Sequence, residues 1–141
     1  MGNITFTMIK PEAVAANNIG GIISMIEDGG FRVVSLKKVQ LSKQRAGEFY
    51  AIHKERPFFN ELTTFMSSGQ TMVLALQKEN AVSAWRATIG ATNPEEAEEG
   101  TIRKEFATSL SKNAVHGADS DENAKIEIGF FFTDSELISY Q

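Results

Sequence analysis

An α/β sandwich, one sheet covered by helices, is the fold class that this sequence predicts, and three observations carry it. Apolar runs of strand length, Ile4 to Ile9, Phe31 to Leu41 and Thr71 to Gln77, alternate along the chain with stretches of helical period. Glycine and proline stand at the joints, as at Pro11, Gly29-Gly30, Gly69 and Gly90. There is no internal repeat, low-complexity stretch or linker, and 141 residues with 42% hydrophobic content suffice for one core without staples, so a single domain over 1–141 is expected.

The elements follow in order. Ile4 to Ile9 is short and apolar and stops at Lys10-Pro11, where proline ends ladder pairing, so it is a buried strand ending on a lysine. Ile19, Ile22, Ile23 and Ile26 form the stripe of an amphipathic helix that Gly29-Gly30 stop. Phe31 to Leu41, rich in Val and Leu with basic residues between, is a strand with one drier face. Ala46, Phe49, Tyr50 and His53 repeat the helical stripe, Arg56-Pro57-Phe58-Phe59 interrupts it, and Leu62, Phe65 and Met66 resume it, which predicts a helical hairpin closed by Gly69. Thr71 to Gln77 is a fully buried strand, after which Asn80 caps a helix burying Val82, Trp85 and Ile89, with Arg86 on its polar shoulder.

Gly90 to Asn113 has no sustained period; Asn93-Pro94-Glu95-Glu96 can open a short helix and Ile102 with Phe106 can anchor a turn. A loop this long in a compact domain is functional or disordered. Ala114 to His116 is a short strand ending at Gly117. Ser120 starts a helix carrying Glu127 that Gly129 ends, Phe130 to Phe132 form a last strand, and Thr133 with Glu136 makes a capping box for a small terminal helix. The natural compact arrangement for this order is ferredoxin-like, two split βαβ units, with handedness rules leaving the strand pairing open.

Charge and composition exclude several functions. Fourteen Lys and Arg against eighteen Asp and Glu give a net charge of −4 and a pI near 5.2, so no global positive field is present to hold a nucleic-acid backbone. Cysteine is absent, which removes disulfides, thiol nucleophiles and thiolate metal sites and fits a reducing compartment. No apolar run approaches the ~20 residues of a membrane span, and the N-terminus lacks a signal-peptide pattern, so the expected compartment is the cytoplasm.

Two histidines narrow the choice of a reactive imidazole. His53 keeps helical spacing with Ala46, Phe49 and Tyr50 and reads as structural. His116 sits between an apolar strand and the Gly117-Ala118-Asp119-Ser120 turn, where a side chain at a strand end can face a cleft; a satisfied structural histidine is the alternative. Lys10, Arg86 and Arg103 stand at element ends or in the long loop, with Thr92 and Asn113 as neutral donors in similar positions. They are either solvated surface or a cationic pocket suited to a nucleoside polyphosphate. No Walker A sequence or glycine-rich dinucleotide fingerprint is present, so side chains would have to hold the phosphates. Phe58 and Phe59 offer an aromatic face for a base, at least one of them serving only the core.

From about Ile4 to Phe132 the chain resembles the nucleoside diphosphate kinase family, the shorter bacterial-type chains in particular. The matching segments are Ile9-Lys10-Pro11-Glu12, Gly29-Gly30-Phe31-Arg32, Arg56-Pro57-Phe58-Phe59, Thr92-Asn93-Pro94, Gly100-Thr101-Ile102-Arg103 and Asn113-Ala114-Val115-His116-Gly117, with Ser120 and Glu127-Ile128-Gly129 beyond. The resemblance implies a ferredoxin-like βαββαβ core with an antiparallel sheet, and ping-pong transfer of a γ-phosphoryl group from a nucleoside triphosphate to a nucleoside diphosphate. His116 would be the nucleophile through Nδ1, oriented by Glu127 with Tyr50 nearby. It further implies Lys10, Arg86, Thr92, Arg103 and Asn113 around ribose and phosphates, Arg56 near the distal phosphates, and Phe58 and Leu110 on the two faces of the base. Mg²⁺ would arrive bridging the nucleotide phosphates, with Asp119 approaching it through water. Homo-oligomers, hexamers or tetramers built from a common dimer, are implied too.

The chain departs from the family pattern at Ala118, where serine is frequent, and in the loop at Glu99 and Lys104, where proline and glycine are frequent. Two other functions remain to be separated. An RNA-recognition module shares this element order, but no strand carries its Lys/Arg-Gly-aromatic run and the net charge has the wrong sign. A nucleotide-sensing scaffold on the same fold is the other, since fold alone does not establish activity.

Overall fold

The computed structural model describes residues 2–140, with side chains through Leu137. Strands β1 (Ile4–Ile9), β2 (Arg32–Gln40) and β3 (Gln70–Gln77) form an antiparallel sheet in the order β1-β3-β2. Each outer strand is antiparallel to β3, so β1 and β2 run parallel with β3 inserted between them, a split βαβ unit. On the free edge of β1, Val115 forms one antiparallel bridge with Ile9, flanked by bonds from the Lys10 amide to the Ala114 carbonyl (2.8 Å) and from the His116 amide to the Met8 carbonyl (3.0 Å). The short strand expected at Ala114 to His116 is thus reduced to a single bridge, and it takes the fourth-strand position of a ferredoxin-like sheet.

Helices cover both faces. The side chains of Phe6 and Met8 on β1, with Val73 and Ala75 on β3, meet α3 (Lys43–Phe49), α4 (Phe59–Met66) and α7 (Asp121–Phe131) through Ala46, Met66 and Ile128. Ile9, Leu74 and Leu76 point the other way, onto α2 (Ile19–Asp28) and α5 (Ala81–Ile89), where Ile22, Ile26, Trp85 and Ile89 are buried. The period of two along each strand is what divides the two cores.

One element was missed, and four expectations are corrected in whole or in part. Pro11–Ala15 is a short helix, α1, with proline at its first turn and Lys10 extended before it; five residues are too few to show a period. Phe130 to Phe132 is not a strand, and α7 continues through Gly129 to Phe131. Phe131 lies parallel to Phe6 at 5.5 Å and Phe130 meets Phe49 edge-on at 5.4 Å, aromatic packing that outweighs the roughly 1 kcal/mol that glycine costs inside a helix. Asn80 precedes α5 without capping it by its side chain; its φ of 53° shows why asparagine is there, since the turn from β3 needs a left-handed residue. Asn93 to Glu96 form a turn in which Asn93 Oδ1 accepts from the Glu95 amide at 3.0 Å, and no helix follows. The capping box at Thr133 forms by half, Glu136 accepting from the Thr133 amide at 2.8 Å, and leads into a 3-10 segment, Asp134–Tyr140.

Candidate active site

Every backbone N–H and C=O of residues 114–116 is hydrogen-bonded. The Ala114 amide donates to Glu12 Oε1 at 2.9 Å, while the Val115 amide reaches back to the Asn113 carbonyl at 2.9 Å. With φ of 75° at Ala114, this two-residue closure is a γ-turn of the strained hand, uncommon for a residue with a Cβ. The His116 carbonyl accepts from Thr7 Oγ1 (2.7 Å) and from Trp85 Nε1 (3.1 Å), so a core tryptophan anchors the backbone of the candidate nucleophile.

The His116 ring lies among Phe6, Phe49 and Tyr50, all edge-on, and its Nε2 donates to Glu127 Oε1 at 2.9 Å. Both side chains are mostly buried, at 17% and 18% exposure. A carboxylate only accepts, so the ring proton belongs on Nε2 and the neutral imidazole presents Nδ1 as its lone-pair nitrogen. Ser120 caps α7 by accepting from the Asn123 backbone amide, and that fixes the helix about two turns before Glu127. Burial, and Glu127 beside it, push the Tyr50 phenol upward, so it remains a proton donor.

Lys10 is buried at the end of β1 and donates from Nζ to Asn113 Oδ1 at 2.7 Å. Burial first, then the Arg103 guanidinium, bring it down from 10.5 to about 8, against the pull of Glu12. Asn113 in turn donates to the Leu110 and Thr92 carbonyls, tying the two ends of the long loop together. Arg103, on α6 (Ile102–Phe106), donates to the carbonyls of Gly90, Asn113 and Val115, and burial with Arg86 nearby lowers it to about 10.

These side chains border two clefts that share Thr92. One, of about 520 Å³, is lined by Lys10, Thr92, Phe58 and Leu110 together with Leu62 and Phe65. Phe58 is 47% and Leu110 61% exposed, two large apolar groups presented to the opening as a flat ring would need. Phe59 instead packs into the core. The other cleft, of about 390 Å³, is lined by Arg86, Gly90, Thr92 and Arg103, with Glu96 and Glu98 on its rim. Arg86 lies exposed with its guanidinium 3.4 Å from the Ala118 carbonyl.

His116, Glu127, Tyr50 and Asn113 line neither cleft, Asn113 being joined to both through Lys10 and Arg103, while Arg56 and Asp119 stand further apart. Arg56 is exposed in the turn before α4 and lines neither cleft, although its backbone joins His53 to Phe59. Asp119 is exposed, and the Asn123 side-chain Nδ2, donating at 2.6 Å, holds its carboxyl below the usual range. Sequence reasoning missed Glu12, Thr7 and the Trp85 indole, whose roles arise from long-range backbone contacts, and it assigned Leu62 and Phe65 to the helical core stripe. Of the departures, Ala118 is buried between Val82 and Ala124, while Glu99 and Lys104 are exposed. Lys104 lies inside α6, where lysine is a better helix former than glycine.

Gly90 has φ of 87°, and a Cβ there would come within 2.6 Å of Thr101 Oγ1 and 2.7 Å of Thr101 Cβ. Gly90→Ala is expected to lower stability by about 1–3 kcal/mol, seen as a lower thermal midpoint, and to loosen Arg103, which bonds the Gly90 carbonyl.

Fold and site together define a class: a ferredoxin-like α+β protein with a carboxylate-oriented histidine on the segment whose Asn113 bonds both Lys10 and Arg103, the cations that line the two clefts. The nucleoside diphosphate kinase family model matches residues 3–137. Over 134 residues the chain is 54% identical to the nucleoside diphosphate kinase of Geotalea uraniireducens strain Rf4, covering 95% of this chain and 98% of that one. It is 55% identical to that of Bartonella tribocorum, at 95% and 96% coverage. Among solved structures, the nucleoside diphosphate kinase of Aquifex aeolicus superposes with a TM-score of 0.94 at 40% identity, covering 96% and 98% of the two chains. That of Halobacterium salinarum, in complex with CDP, gives 0.91 at 34% identity, covering 97% and 91%. The chain belongs to the nucleoside diphosphate kinase family.

Proposed function

We propose that this protein is a phosphotransferase that moves the γ-phosphate of a nucleoside triphosphate, typically ATP, to a nucleoside diphosphate through phospho-His116, and so balances NTP and dNTP pools. The observation that carries it is the 2.9 Å bond from His116 Nε2 to Glu127, which turns Nδ1 into the nucleophilic atom. In the first half-reaction Nδ1 bonds to the γ-phosphorus as the bridge to the β-phosphate breaks and the diphosphate leaves. In the second, a β-phosphate oxygen of the acceptor takes the group and restores the imidazole. Glu127 accepts from Nε2–H throughout and stabilises the positive charge that builds on the ring.

Phosphoryl transfer spreads charge over equatorial oxygens, so positioned cations and donors supply most of the catalysis. Lys10, Arg86 and Arg103, with Thr92 and Asn113, take this role, Arg56 meets the distal phosphates, and the protonated Tyr50 packs beside His116. Phe58 and Leu110 hold the base by its faces, which tolerates purine and pyrimidine alike. Mg²⁺ would be carried in on the nucleotide phosphates, and the exposed carboxylate of Asp119 is the group that would approach it through water. Bound there, Mg²⁺ neutralises phosphate charge. Chelation by EDTA is expected to stop transfer and excess Mg²⁺ to restore it.

No described helix is long and apolar enough to cross a membrane, and the proposed setting is the cytoplasm. The proposed state is a homo-oligomer, tetramer or hexamer, which light scattering resolves. A scaffold on the same fold would bind nucleotide without turnover; incubation with γ-labelled ATP followed by GDP separates the two, label in GTP supporting the enzyme. Ala118→Ser is expected to change the transfer rate by no more than about tenfold, because one neutral hydrogen bond is worth about 0.5–1.5 kcal/mol.

A further inference from the structure

Among the described residues Glu12 is the one acidic side chain that bonds the backbone of the segment carrying His116, and the transfer chemistry above gives it no part. We propose that Glu12 is a positioning residue, whose carboxylate clamps the Ala114 amide and thereby holds the strained turn that sets the place of His116 two residues on. The inference rests on the phosphotransfer function proposed above.

Three observations converge on it. Ala114 is completely buried with φ of 75°, and glycine, which would adopt that φ freely, is not there. Something outside the turn must therefore hold it. The brace comes from one place, the start of α1: Glu12 Oε1 accepts from the Ala114 amide at 2.9 Å while the Lys10 amide donates to the Ala114 carbonyl at 2.8 Å. Both polar groups of the strained residue are thus gripped by a stretch of three residues, whose Pro11 is fixed in φ. Finally, what the turn positions is the reacting group itself. Asn113, the residue before it, takes the Lys10 ammonium at 2.7 Å, and His116, two residues after it, has its ring nitrogen on Glu127. Burial raises the half-buried carboxyl of Glu12, and the Ala114 amide with Lys10 and Lys112 opposes the rise.

The test compares Glu12→Ala, Glu12→Gln and the double variant Glu12→Ala/Ala114→Gly with the wild type. Glutamine keeps the accepting oxygen, so Glu12→Gln is expected to hold kcat within about threefold. Glu12→Ala is expected to lose about tenfold or more in kcat, with KM for the nucleotide changed less than about threefold, since the nucleotide contacts are intact. Ala114→Gly in the Glu12→Ala background is expected to recover most of that loss, glycine needing no clamp at this φ. Amide exchange at Ala114 is expected to be slow in the wild type and Glu12→Gln and fast in Glu12→Ala. A Glu12→Ala protein with unchanged kcat, a Glu12→Gln protein as impaired as Glu12→Ala, a loss expressed in KM alone, or a double variant with no recovery would each overturn the proposal. Exchange at Ala114 tests the clamp even in a protein that transfers no phosphate, whereas absence of transfer in the wild type would count against the phosphotransfer function alone.

Discussion

His116→Ala is expected to lower transfer from ATP to GDP by at least about four orders of magnitude and to abolish the acid-labile phosphoenzyme. The size follows from the mechanism: without Nδ1 there is no covalent intermediate, and a site shared in turn by donor and acceptor cannot pass the group on directly. His53 is not a substitute. It lies between Tyr50 and Phe58, 6.4 and 5.5 Å from their rings, in the turn that follows α3. The side chain removed is only partly exposed and packs by ring edges, so the variant is expected to fold, and its circular dichroism and oligomeric state check that. Quenched-flow labelling with γ-³²P ATP is the measurement; a His116→Ala protein that labels and transfers at the wild-type rate would remove the histidine from the mechanism.

Lys10→Met is expected to cost about a hundredfold or more in kcat/KM, because truncating one partner of a buried charge pair costs about 2–5 kcal/mol. The loss has two parts: the substrate phosphates lose a buried cation, and Asn113 Oδ1 loses the donor that orients its amide. A pH signature accompanies it. In the free protein Lys10 is brought down to about 8, so KM for nucleotide is expected to rise as the pH climbs through 8, and that limb should be missing from Lys10→Met. The stability effect has the opposite sense. An unfolded lysine keeps its proton up to about 10.5, so between about pH 8 and 10.5 the unfolded chain binds more protons and Lys10 makes folding more favourable as pH rises. Below pH 8 the cost of burying the cation is constant. Steady-state kinetics and urea titrations from pH 7 to 10 test both signs, and identical alkaline limbs in wild type and variant would show that Lys10 does not titrate there.

What the sequence made legible was local. The isoleucine stripe of α2, the apolar runs of β1 and β3 and the Ser120 cap of α7 each follow from a few consecutive residues, and each stands where expected. Periodicity failed where distant packing decides. Gly129 reads as a stop, yet Phe6 and Phe49, more than seventy residues earlier in the chain, hold Phe130 and Phe131 in the helix. The same holds at the site. Lys10, Arg86, Arg103 and Asn113 could be picked out because charge and donors at element ends suggest a pocket. Glu12 and the Trp85 indole could not, because their role is a hydrogen bond to a backbone atom that lies 102 and 31 residues away in sequence. Arg103 was expected as a phosphate ligand, and it also buttresses the backbone on both sides of Ala114, a role that only the fold discloses.

The central claim is that Glu127 holds Nε2 so that Nδ1 of His116 carries the phosphate. Its most direct test is ³¹P NMR of the phosphoenzyme made with ATP and Mg²⁺, followed by addition of GDP. One phosphohistidine signal is expected, substituted at Nδ1, absent from His116→Ala and discharged on GDP addition with appearance of GTP. A phosphoryl group on Nε2, on a hydroxyl side chain, or on a histidine that GDP fails to discharge would contradict it.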